Sequence, residues 1–401
     1  MGTVKTILFL FYLSFGLLPA NGNTKIASVP FQVVGSYIVV QVSINGSTKL
    51  NLILDSGVSN TIITELSEED SLTLNYTRKE ELKGLGSGKS VVALTSTGNT
   101  LEAGKIRIKN QSVLALVEDI FNLSKHVGSK INGLLGSDFF EGHIVKIDYN
   151  SKRITFYKNE NFVAPRKYVS TPIIKEGRKM YISIPVTSSD WKTKNALLLL
   201  DTGAELTAWF RSYGDNPIKI PAKRIRGYVG QGLNGEIEGY LGRIFQINVG
   251  GHELHNPVVS FPDSASITDA IVGTKREGTI GSQILSRFNM IFDQQNNKLY
   301  LKPNWKFKDP FSYNIAGIDL IQDYTSSILP EVIIVRKDSP ADLAGVQVGD
   351  YIFQINEFSG FKTSINEMKK IFETSSKAPL RLILLRGDKT ISLKIEMKSV
   401  L

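Results

Sequence analysis

The chain predicts a mainly β protein: two pseudo-symmetric β-barrel lobes followed by a smaller α+β unit. Three observations carry that prediction. A short apolar run ending in Asp-Ser/Thr-Gly occurs twice, as Leu52-Ile53-Leu54-Asp55-Ser56-Gly57 and as Leu197-Leu198-Leu199-Leu200-Asp201-Thr202-Gly203. Each copy is followed, at almost the same separation, by an apolar segment between glycines, Gly133-Leu134-Leu135-Gly136-Ser137 and Gly278-Thr279-Ile280-Gly281-Ser282. From Pro303 onward the pattern changes to one with helical segments of its own.

The repeat indicates a duplicated lobe. An apolar run of this length reads as a strand buried on both faces, so the Asp closing it stands at the edge of a core, where burial and neighbours shift its pKa. The repeats also end alike. His143–Tyr149 and Phe288–Asp293 are strands that pass through polar turns, at Asn150-Ser151-Lys152 and Gln295–Lys298, into a second strand.

In these four short motifs, in this order, the sequence resembles the aspartic peptidases, closest to the retropepsin-like branch, over about residues 30–303. The resemblance implies two retropepsin-like lobes, bounded here as 23–160 and 161–303, that form one peptidase unit with Asp55 and Asp201 catalytic between them. It implies a polypeptide substrate and no cofactor or metal. Ser56, Gly57, Thr202 and Gly203 would support the dyad, the hydroxyls by fixing the carboxylates and the glycines by letting the strands approach. Val58, where a small residue usually follows the glycine, departs from the pattern; the acid Glu205 occurs in retroviral relatives also.

Taken in order, residues 1–22 carry the single charge Lys5, the apolar run Ile7–Leu18 and then Pro19-Ala20-Asn21-Gly22, which reads as a secretory signal peptide; an uncleaved anchor is the alternative. The chain has no cysteine, hence no disulfide, which suits an exported bacterial protein of the periplasm or cell surface. Residues 30–44 are apolar or alternating, and Asn45-Gly46 signals the turn into the strand that delivers Asp55. Leu82–Gly88, with Gly86 and Gly88, and Gly227–Gly235, with Gly230 and Gly232, read as hairpins with glycine-rich tips. The resemblance makes them flaps over the substrate; ordinary exposed hairpins are the alternative. Trp209-Phe210 is expected in the core, and residues 158–167 form a polar linker.

Within residues 304–401, the segments Tyr313–Ile318, Asp338–Ile352 and Ser364–Ser375 together resemble the carboxylate-binding loop, middle segment and helix of a PDZ domain. Ser339-Pro340 starts a short helix that Gly345 ends, Gly349-Asp350 turns into a buried strand, and Ser364–Ser375 forms an amphipathic helix. Ala316, Gly317 and Ile318 are expected to offer a nest of N–H groups to the carboxylate of a C-terminal or extended peptide, with Met368 lining the pocket for its side chain. A groove filled by the chain itself is the alternative.

The charge of +9 is dispersed, which disfavours a nucleic-acid partner and leaves acidic substrates or an anionic membrane face as what basicity would favour. The four histidines give no metal-ligand spacing. A monomer is expected. The rival reading is a catalytically silent peptide-binding protein of the same architecture, which loss of either Asp would favour; neither is lost.

Overall fold

The computed structural model describes residues 23–86, 88–214, 217–271, 273–325 and 328–401; the expected signal segment, residues 1–22, lies outside the described residues. The protein is mainly β.

The first lobe is an eight-stranded sheet. Asn45-Gly46 makes the tight turn between Tyr37–Ile44 and Leu50–Leu54, with both residues at positive φ (51° and 81°). Leu50–Leu54 then pairs in parallel with Gly133–Leu135, which lies between it and Thr61–Ile63. Buried on both sides, Leu52, Ile53 and Leu54 are fully excluded from solvent, as a continuous apolar run requires. Pairing of Ser43 with Glu102 and Ile44 with Leu101 closes the sheet on itself. The second lobe, a ten-stranded sheet, repeats the central weave: Thr193–Leu200 runs parallel to Gly278–Ile280, which also pairs with Ala208–Phe210.

A six-stranded sheet joins the lobes. Its first half comes from Lys25–Pro30, Arg153–Tyr157 and Ile144–Asp148, and its second from Phe288–Asp293, Lys298–Pro303 and Val169–Pro172. The seam is the antiparallel pairing of Ile144 to Ile147 with Asp293 to Met290. Phe140 stacks on Phe292 across it (ring centroids 5.2 Å apart), so aromatic packing reinforces the main-chain bonds. Residues 158–168 hold no strand or helix.

The remaining unit has a six-stranded sheet and two helices, Pro340–Ala344 and Ile365–Phe372. Ser339 caps the first helix by accepting from the Asp342 N–H (3.3 Å), and Gly345 ends it at φ +90°. Ser364 and Glu367 form a capping box on the second, which stops at Phe372, short of the expected Ser375. Asp350, fully buried, is held by the Arg386 guanidinium at 2.7 and 2.8 Å.

Candidate active site

Asp55 and Asp201 each leave their strand into the same local frame. The Asp55 N–H donates to the Leu135 carbonyl (2.9 Å) and the Asp201 N–H to the Ile280 carbonyl (3.1 Å), so the parallel partner strand fixes where each carboxylate begins. The chain then turns so that the Gly57 and Val58 N–H groups donate to Asp55 Oδ1 (2.8 and 3.2 Å) and the Gly203 N–H to Asp201 Oδ1 (3.1 Å). Val58 thus serves the frame despite its size.

The two carboxyl groups face each other across the junction of the lobes. Glycine is required beside each because the opposite acid occupies the space: a Cβ on Gly57 would stand 2.6 Å from Asp201 Cγ, and one on Gly203 would stand 2.3 Å from Asp55 Cγ. The hydroxyls differ from expectation. Instead of holding the carboxylates, Ser56 Oγ donates to the Leu200 carbonyl (2.8 Å) and Thr202 Oγ1 to the Leu54 carbonyl (2.7 Å). Each also accepts an N–H from the other residue at 3.1 Å. Four buried bonds therefore bolt one lobe to the other beneath the dyad. The carboxylates are already served by main-chain N–H groups.

Burial, and then the charge of Asp201, hold the Asp55 carboxyl well above the usual carboxylate range. Burial also raises Asp201, but Arg276 opposes the shift, as does its bond with Asp55. The two acids therefore titrate as one unit.

Above the dyad the glycine-rich tips of the two hairpins meet. Asn234 N–H donates to the Leu85 carbonyl (2.7 Å), Asn234 Nδ2 to the Lys89 carbonyl (2.8 Å), and the Gly88 N–H to the Asn234 carbonyl (2.5 Å). The Gly86 N–H reaches the Ser266 carbonyl at 2.8 Å. Gly230 and Gly232 line the same cavity as Asp55 and Asp201, a space of about 1310 Å³.

The third unit stands against this cavity. Its groove, between Ile318–Ile321 and Ile365–Phe372, receives the first-lobe segment around the short helix Leu123–Val127. The Gln322 N–H donates to the Lys125 carbonyl (2.9 Å), Lys369 Nζ to the His126 carbonyl (3.2 Å) and Asn366 Nδ2 to the Val127 carbonyl (3.3 Å). The open nest expected at Ala316, Gly317 and Ile318 is absent. The Ala316 N–H donates to the Phe372 carbonyl (3.2 Å), and the N–H groups of Gly317 and Ile318 turn to Asn314 Oδ1 (2.8 and 3.4 Å). A side-chain amide takes the place expected for a ligand's carboxylate, and Met368 is fully buried.

Two residues of the site escaped the sequence reading. Arg276, only 5% exposed, lies beside Asp201 with its guanidinium over the Trp209 ring (5.0 Å), so Trp209 does more than fill the core. Lys179, partly buried, lines the same cavity. Setting one repeat on the other would have found Arg276, since it precedes Gly278 by the interval at which Ile131 precedes Gly133. Among the described residues no group of three or more His, Asp or Glu side chains is placed to hold a metal ion.

A model of the aspartyl protease family matches residues 40–139 and 184–284, together half of the chain and one match per lobe. The chain belongs to the aspartyl protease family. By shape it is similar to the crystal structure of the aspartic proteinase from Irpex lacteus, at 17% identity and a TM-score of 0.43, over 71% of this chain and 98% of that one. No curated protein matches it by sequence. A protease of this family acts on polypeptides.

Proposed function

We propose that the protein is an exported aspartic endopeptidase whose catalytic dyad is Asp55 and Asp201. The observation that carries this reading is the juxtaposition of two carboxyl groups, one from each repeat and each crowding the other's glycine, on the floor of a cavity roofed by both glycine-rich tips. Such a pair holds one proton, so one member is a base and the other an acid at the same pH. Asp201, beside the Arg276 cation, carries the charge and takes a proton from a water held between the acids. Asp55 carries the proton and gives it to the scissile carbonyl oxygen as charge develops there. The hairpin tips act as flaps that pair with an extended substrate through their backbone. The chain acts as a monomer, both halves of the site being its own.

Export rests on the apolar run Ile7–Leu18. We place the mature protein in a bacterial periplasm or at the cell surface, its terminus near Ala20 or Gly22, which mass spectrometry of the mature protein reads directly. We read the third unit as PDZ-like, a reading supported by its capped helices Pro340–Ala344 and Ile365–Phe372. With its groove filled by residues 123–128, it walls the cleft, and a peptide ligand takes that groove only after this segment leaves.

The test is digestion of a denatured protein by wild type, Asp55→Asn and Asp201→Asn. Each variant is expected to lose at least ~10²-fold in rate while melting like wild type. A variant that cuts at the wild-type rate would falsify the dyad.

A further inference from the structure

The repeats can be set on each other by equivalent hydrogen bonds. Asn132 Oδ1 accepts from the Asn51 N–H and Glu277 Oε2 from the Leu197 N–H, both at 3.0 Å, so Arg276 stands where the first lobe has Ile131. The strand registers Val39–Ile53 and Tyr181–Leu199, each partner two residues before its Asp, likewise put Lys179 where the first lobe has Tyr37. At the same two places beside the dyad, one lobe is aromatic and aliphatic and the other doubly cationic.

The first lobe completes its side with an apolar cluster that includes Ile131, Ile53, Ile62 and Leu134. On the other side Arg276 gives Nε to the Gly278 carbonyl (3.0 Å) and Nη2 to Thr279 Oγ1, which fixes the guanidinium but leaves its charge without an ion pair among the described residues. Lys179 has neither a side-chain hydrogen bond nor an ion pair among them. Burial lowers the proton affinity of both, the Arg276 charge adds to this for Lys179, and the Asp201 charge opposes it in each.

Two like charges beside one cavity, one of them buried, are unfavourable unless an anion lies near. The dyad supplies one negative charge. Glu176, across the hairpin from Lys179, is exposed and screened by solvent. Glu205, which lines the same cavity, is engaged elsewhere, accepting from Ser36 N–H (3.3 Å) and standing 3.9 Å from Lys369. Among the described residues one of the two positive charges is thus left without a close counter-charge.

We propose that Lys179 and Arg276 form a subsite for a substrate carboxylate, so that the enzyme cuts peptides with an apolar side chain on the first-lobe side of the scissile bond and Asp or Glu on the second-lobe side. The proposal rests on the dyad reading above. Such a subsite attracts an acidic side chain when it enters and leaves no buried cation unpaired once it is bound.

The test uses the full mature chain and a peptide library randomised on both sides of the scissile bond, compared in wild type, Asp201→Asn, Lys179→Met, Lys179→Glu and Arg276→Lys. The readout is the ratio of kcat/KM for Asp against Asn and for Glu against Gln at each position. Wild type is expected to favour the acid by about tenfold at one position. Lys179→Met should bring the ratio near one, Lys179→Glu should invert it in favour of the amide, and Arg276→Lys should keep it. Because a ratio is read, a general loss of rate does not obscure the result, and thermal melting identifies a variant that fails to fold. A wild type that cuts, but shows no acid preference anywhere, overturns the subsite and leaves the dyad standing, as does an unchanged ratio in Lys179→Met. If Asp201→Asn cuts like wild type, the dyad reading fails and the subsite falls with it.

Discussion

The two lobes share a scaffold and differ in what they present. Beneath the dyad their hydrogen bonds match atom for atom: Asp N–H to a parallel strand, glycine N–H back to the carboxylate, hydroxyl across to the other lobe. Beside it, the first lobe has Tyr37 and Ile131 where the second has Lys179 and Arg276, and the glycine-rich loop of the first hairpin closes on the two-residue turn of the second. Backbone geometry tolerates little change where two acids must meet within bonding distance, whereas the walls need only fit a substrate. Duplication therefore preserved the floor and let the walls diverge.

That comparison can be broken or sharpened by experiment. The largest effect is expected from Gly57→Ala and Gly203→Ala, each of which pushes a methyl into the opposite carboxyl group. Both should lose at least ~10²-fold in kcat/KM, since small misplacements of reacting groups have effects of that order. If only one variant suffers, the floor is not symmetric. Next come Ser56→Ala and Thr202→Ala, which leave a buried carbonyl and a buried N–H without partners. Each should lower unfolding stability by about 1–3 kcal/mol, measured by chemical denaturation, and by similar amounts.

A smaller effect distinguishes Asp138 from Gln283, its equivalent after the second Gly-Ser. Asp138 is fully buried, and burial pushes its carboxyl from 3.8 up to about 7, Arg178 opposing. The folded state thus binds the proton more tightly than the unfolded chain. Its contribution to stability is present below 3.8 and is lost as pH rises through about 7. Asp138→Asn should flatten that decline in melting temperature, whereas Gln283, which already accepts from Thr207 Oγ1 at 2.8 Å, gives the second lobe no such dependence. The smallest effect is expected from Asn234→Ala, which removes side-chain bonds between the tips; KM should change by a few fold, about 1 kcal/mol, with stability untouched.

The floor was legible in the sequence because its demands are local. A strand ending in an acid, a hydroxyl and a glycine, repeated at a fixed interval, leaves few alternatives. The walls were less so. The partner of Ser56 is Leu200, far along the chain, and no local pattern announces a bond between lobes. Nor does anything around Ala316 reveal that Asn314 will turn back on its own loop, or that Asn366 will meet Val127. Those outcomes depend on how separately folded surfaces fit. Arg276 lies between these cases: unremarkable in its own segment, conspicuous once the repeats are laid on each other.

The sheet joining the lobes has a consequence for how the molecule can be cut. Its seam, Ile144–Asp148 against Phe288–Asp293, brings together strands from either side of residues 158–168, and the Phe140–Phe292 stack and the four bonds of Ser56 and Thr202 cross the same divide. The linker contributes none of these contacts. A nick there leaves a two-chain molecule with its floor intact, and the halves supplied as separate polypeptides have a ready-made surface on which to find each other.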